Sequence, residues 1–244
     1  MPTLKASEQP TTSGYKEVQT LALKQAFHTK SDWHLTAYET SEERKEDPFC
    51  KEPVKICFWA DKTKKDEHCG QLISGYEYDP TVTYPHQRLT ALKIVQIDKT
   101  TKGIWLSAEY CGGGSFTLVR NEMWTYDPKA DDFSAELRWQ NGELGESKVI
   151  SSGPLAGVLI SADPKLLHGE IHFDPHHYLI DVYKYSAKQD GFYKILSFIT
   201  SKKYESENET EVNVISPELE NIKRKLIAVY GAAGSPSWTV AGTN

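Results

Sequence analysis

The sequence lacks the features that define several large classes of protein. No apolar run approaches the roughly 18 residues that a membrane-spanning helix needs. Lys and Arg number 28 against 34 Asp and Glu, so the net charge of -6 leaves no basic excess for a phosphate backbone, and nucleic acid is not an expected partner. No Gly-x-Ser-x-Gly elbow, His-Glu-x-x-His pair or Cys-x-x-Cys pair occurs, which removes the local signatures of serine hydrolases, zinc proteases and structural zinc ribbons. The N-terminus has no apolar core of a signal peptide; Met1 to Gly14 is instead polar and rich in Pro, Ser and Thr, like the stretch that follows a cleavage site. The expected compartment is therefore periplasmic or secreted.

Cysteine is sparse but placed with some order. Cys50, Cys57, Cys69 and Cys111 all lie in the first half, and an even, clustered set without zinc spacing points to two disulfides whose pairing the sequence leaves open. A chain of 244 residues can bury a large core, and all-β proteins of this size are often one domain. The expected organisation is a polar N-terminal segment 1–14, a single β-rich domain 15–231 and a small-residue tail 232–244.

Alternation supplies the strands. Trp33, Leu35 and Ala37 alternate with His34, Thr36 and Tyr38, the period of a half-buried strand, whereas Val54 to Ala60 is apolar on both faces and reads as central. Further strands are expected at Gln71–Tyr78, Arg88–Asp98, Gly103–Tyr110, Leu155–Ala162, Leu166–Phe173, Tyr178–Ser186 and Phe192–Thr200. Turn residues punctuate them. Ile94–Asp98 and Ile104–Ala108 form the clearest hairpin. The corner Cys111–Ser115 contains three glycines and reads as a tight bend.

An internal echo aligns Trp124–Phe133 with Tyr183–Phe192 without gaps, matching Tyr, Lys, Asp and Phe. Each copy reads as a hairpin ending in aromatics around an Asp-bearing turn, a pattern of repeated hairpins or propeller-like blades. In this reading Asp131 and Asp132 are turn residues that bond their own backbone rather than an acid/base pair. The chain changes character at Ser216-Pro217-Glu218, which starts a helix over 216–230 with a hydroxyl cap, and Leu219, Ile222, Leu226 and Val229 form its apolar stripe. The fold class is thus all-β (β-rich) with one C-terminal helix, built of repeated antiparallel hairpins in a propeller-like or sandwich arrangement.

The densest chemistry lies between Leu167 and Tyr178. On an extended strand His168, Glu170, His172 and Asp174 share one face, and Asp174-Pro175 can swing His176 or His177 towards them. These six residues are the candidate ligands of a zinc-like divalent metal. A metal-dependent hydrolase would use Glu170 or Asp174 as base beside a metal-bound water. The expectation placed ahead of it is a non-enzymatic protein that docks a protein partner, as an inhibitor or immunity-type protein does. It rests on the missing catalytic motifs, the disulfides, an acidic surface, and the six Trp and thirteen Tyr. Its binding loops would be Asp61–Cys69, Cys111–Ser115 and Leu167–His177. A carbohydrate-binding module using those aromatics is the third reading, with a glycan as partner. Asn208-Glu209-Thr210 is a glycosylation sequon.

Overall fold

A computed structural model describes residues 14–41, 53–60, 68–71, 73–76, 79–110, 118–142, 144–166, 170–171, 174–189, 191–205 and 212–231, with the backbone alone for 68, 70–71, 73–76, 79–87 and 110. The chain divides into two compact units. One comprises Met1–Val95 with Lys102–Glu143, the other Leu144–Asn244 with the turn Gln96–Thr101.

In the first unit β1 (Tyr15–Ala22), the four-residue α1 (Lys24–Phe27), β2 (His34–Thr40), β3 (Lys55–Trp59) and β4 (His68–Gln71) give a four-stranded antiparallel sheet in chain order. Next, β5 (Ile73–Tyr76), β6 (Asp79–Gln96), β7 (Lys102–Tyr110), β8 (Val119–Asp127) and β9 (Asp132–Asn141) give a five-stranded sheet, also in chain order. The two sheets share one core. Leu35 and Ala37 of β2 and Ile56 and Phe58 of β3 pack with Leu92, Ile104, Leu106, Ala108 and Phe133 of the second sheet, a β-sandwich interior. β3 is interior to its sheet and buried on both faces, as its apolar run requires. β2 departs from the half-buried strand expected of it: Thr36 and Tyr38 are buried as well as Leu35 and Ala37. Alternation reports which side chains are apolar, and Thr36 is made compatible with burial by hydrogen bonds from Trp59 and Thr20.

Cys57 and Cys69 face each other directly across β3 and β4 and form a disulfide with an S–S distance of 2.04 Å. Cys50 and Cys111 lie outside the described residues, as do the charged loop 61–67, the glycine corner 111–115, the sequon and both termini.

The echo is structural. In β8 and β9, Tyr126 pairs with Phe133, their rings 5.2 Å apart, and the ladder shifts register between Met123 and Trp124. In the second unit, Tyr185 pairs with Phe192, rings 5.3 Å apart, and the ladder shifts between Val182 and Tyr183, the aligned position. Two hairpins thus share an aromatic pair and a bulge. In the first copy the turn is held by Asp131, which adopts φ 54° and accepts hydrogen bonds from the Lys30 and Ser31 amides, the Ser31 hydroxyl and the Tyr126 hydroxyl. Burial alone would raise the pKa of this carboxyl, but those donors favour its charged form and hold it down to about 2.

The second unit is one antiparallel sheet, β10 (Glu146–Val149), β11 (Leu159–Lys165), β12 (His177–Ser186) and β13 (Gly191–Ile199), with α2 (Ile215–Tyr230) against it. Ile160, Ala162, Tyr178, Ile180, Val182 and Ile195 of the sheet pack with Val214, Ile215, Ile222 and Leu226. The helix differs from its expected form at both ends. Val214 is its N-cap without any side-chain cap bond, and the first amides are satisfied by Glu146 Oε2, 2.8 Å from both Val214 N and Ile215 N. Ser216 is therefore not the cap; its hydroxyl accepts from Lys148 Nζ. The buried stripe begins with Ile215 and Glu218, and Val229 is exposed.

Two outcomes follow from this packing. Gly157 has φ +83° and an added Cβ would lie 2.6 Å from Ile97 O, whereas Gly153, at φ +76°, meets nothing within 4 Å. Gly153→Ala should cost about 1 kcal/mol for the left-handed backbone alone, and Gly157→Ala at least about 2 kcal/mol more because backbone must move. Equal melting shifts for the two variants would contradict the close approach. The second outcome concerns acid. The folded pKa of Asp131 is depressed, so its contribution is present above the unfolded value of about 3.9 and is lost as pH falls from about 4 towards its folded pKa of about 2. Asp131→Asn should flatten that part of the stability–pH curve, measured by urea unfolding.

Candidate functional site

The His-rich segment leads into β12, and its described part is organised by backbone pairing. His176 and Tyr204 form an isolated antiparallel bridge, with His176 N to Tyr204 O at 3.0 Å and Tyr204 N to His176 O at 2.8 Å. That bridge brings Lys203 to Glu170. Glu170 Oε1 is 2.6 Å from Lys203 Nζ and its Oε2 is 3.3 Å from Nδ1 of His176, a side chain only 1% exposed.

Four of the six candidate ligands are described. His168 and His172 lie outside the described residues. Glu170 and His176 meet. Asp174 turns back on its own segment, its Oδ2 accepting from Ile171 N at 2.9 Å while Asp174 N donates to Ile171 O at 3.0 Å. His177 points its Nδ1 at the carbonyl of Thr200, 2.9 Å away, which makes Nδ1 the protonated nitrogen. Among the described residues no three His, Cys, Asp or Glu side chains converge as a metal-holding group.

Chemically, Glu170 is committed. A carboxylate between a lysine and an imidazole makes charge-assisted hydrogen bonds, and His176 is buried inside the fold. A second polar chain runs behind it. The Tyr204 hydroxyl donates to Glu218 Oε1 at 2.6 Å, and Glu218 Oε2 accepts from Asn221 at 2.6 Å, so the buried acid of α2 is satisfied. Burial, then the bond to Glu218 and its charge, push the Tyr204 phenol well above its ordinary pKa. Tyr178, fully buried and edge-on to Tyr204, is pushed up to about 12 by burial and by the charges of Asp163 and Glu146.

Around this polar interior three aliphatic side chains are exposed among charged ones. Leu166 follows the end of β11, Ile171 sits in the turn closed by Asp174, and Ile199 ends β13; they are 49%, 63% and 52% exposed. Lys165 pairs with His177, and Leu179 with Ile199, so all three aliphatics border the end of the sheet where β12 begins. Lys203, Tyr204 and these aliphatics have no local motif. Glu170 and Lys203 are 33 residues apart, and only the clustering of acid, imidazole and aliphatic residues in 166–177 marked the region.

No protein family, no curated protein and no solved structure matches the chain. What the structure defines is a class: a β-rich protein of three antiparallel sheets with a C-terminal helix. No helix of the described residues is long and apolar enough to cross a membrane.

The network predicts an asymmetry between its partners. Glu170→Ala leaves His176 and Lys203 without their acceptor and should destabilise by about 1–3 kcal/mol. Lys203→Ala removes a 43% exposed cation and should cost less than about 1 kcal/mol. Chemical denaturation of both variants measures this; a larger loss for Lys203→Ala would contradict the arrangement.

Proposed function

We propose that the protein is a non-enzymatic binding protein of an extracytoplasmic, oxidising compartment that docks a protein partner, of the inhibitor or immunity type. The observation that carries the reading is the apolar end of the second unit, where Leu166, Ile171 and Ile199 stand exposed around a fully engaged polar network. Single exposed aliphatics are ordinary, whereas several bordering one end of a rigid sheet mark a contact surface. Ile171 is also preorganised. The two hydrogen bonds between Ile171 and Asp174, with Glu170 beside them pinned by Lys203, limit the entropy lost when Ile171 enters a partner's pocket. The Cys57–Cys69 disulfide supports the oxidising compartment.

A photoreactive residue at position 171, in extract of the native envelope or secreted fraction, should give one discrete heteromeric adduct. Excess unlabelled wild-type protein should abolish it, and excess Ile171→Arg protein should not. The same adduct from position 153, or competition by Ile171→Arg equal to wild type, would remove the reading.

A further inference from the structure

The last strand of the second unit's sheet carries an inference that rests on the reading above and specifies how the partner docks. β13 ends its sheet; among the described residues it pairs with β12 alone, so its other edge presents backbone amides and carbonyls to whatever approaches. That edge is divided at Ile195. The ladder passes from Val182–Leu196 to Tyr183–Lys194, leaving Ile195 as the bulged residue, and its carbonyl accepts from the Tyr230 hydroxyl at 2.9 Å. Beyond Ile195, no described strand pairs with the outer side of Leu196–Ile199, which ends in the exposed Ile199.

Two cations lie beside this stretch. Lys225 Nζ sits 4.7 Å above the Phe198 ring and Lys202 Nζ 4.7 Å above the Tyr204 ring. Neither has a carboxylate partner among the described residues. Of the nearby acids, Asp181 accepts from Lys194 at 2.7 Å and Ser197 at 2.6 Å and Glu170 holds Lys203, while Glu205, next to Tyr204, is exposed. Lysines on an edge also discourage pairing between like chains, which makes a second copy a poor occupant and an acidic strand a favourable one.

We propose that the Leu196–Ile199 edge of β13 accepts an extended acidic segment of the partner polypeptide as an added strand of this sheet. Main-chain bonds supply the register, alternate aliphatic side chains of the segment lie beside Ile199, and its carboxylates meet Lys202 and Lys225.

The test is selection of eight-residue peptides from a displayed random library on the full chain, followed by fluorescence polarisation of the winners. Enriched peptides should be acidic with apolar residues at alternate positions. Their affinity should fall at least tenfold on alternate backbone N-methylation and at least tenfold on the Lys202→Glu/Lys225→Glu variant, whose fold is checked by circular dichroism; Ile199→Lys serves if that variant does not fold. No enrichment, enrichment without acidic preference, or peptides indifferent to N-methylation overturns the proposal. A partner captured through position 171 that binds the charge-reversed protein as tightly as wild type overturns the edge and leaves the binding function standing. Edge-binding peptides without any adduct at position 171 support the edge and count against the Ile171 surface.

Discussion

The second unit depends on one carboxylate. Glu146, at the start of β10, accepts the amides of Val214 and Ile215, residues nearly seventy positions later, and so fixes where α2 begins and how it meets the sheet. A helix leaves its first amides without internal partners, and here Val214 and Ile215 are fully buried, where water cannot substitute. A side-chain cap is worth about 0.5–2 kcal/mol, and a negative charge at a helix start adds about 0.3–1 kcal/mol. With that end fixed, Ile222 and Leu226 reach the sheet and Tyr230 reaches the Ile195 carbonyl. The same charge contributes to the raised pKa of the Tyr178 phenol. The start of the helix therefore follows from one carboxylate oxygen that accepts two long-range hydrogen bonds.

Much of this architecture was legible in the residues because alternation and turn chemistry are local. The two-sided apolar run of Val54–Ala60 lies inside its sheet, and the echo between Trp124–Phe133 and Tyr183–Phe192 is a shared hairpin down to its bulge. The failures have a common cause. Ser216-Pro217-Glu218 carries every local mark of a helix start, yet the helix begins earlier because an acid from a distant strand serves as its cap. Thr36 looks solvent-facing in sequence and is buried because Trp59 and Thr20 satisfy its hydroxyl.

The candidate site shows the same limit. Spacing on a strand put six possible ligands in one short segment, but what each side chain does is decided by what the fold brings to it. Glu170 is claimed by Lys203 and His176, Asp174 by the Ile171 amide and His177 by the Thr200 carbonyl. The polar groups of the segment that are described, Glu170, Asp174, His176 and His177, hold it in place, and Ile171 is left outward.

Native-state hydrogen exchange on wild-type protein and Glu146→Ala tests whether the Glu146 carboxylate sets the start of α2. The Val214 and Ile215 amides in wild type should exchange as slowly as the middle of α2, and Glu146→Ala should expose them together with the first turns of the helix while the β11–β12 ladder stays protected. Fast exchange at Val214 and Ile215 in wild type, or unchanged protection in the variant, would contradict it.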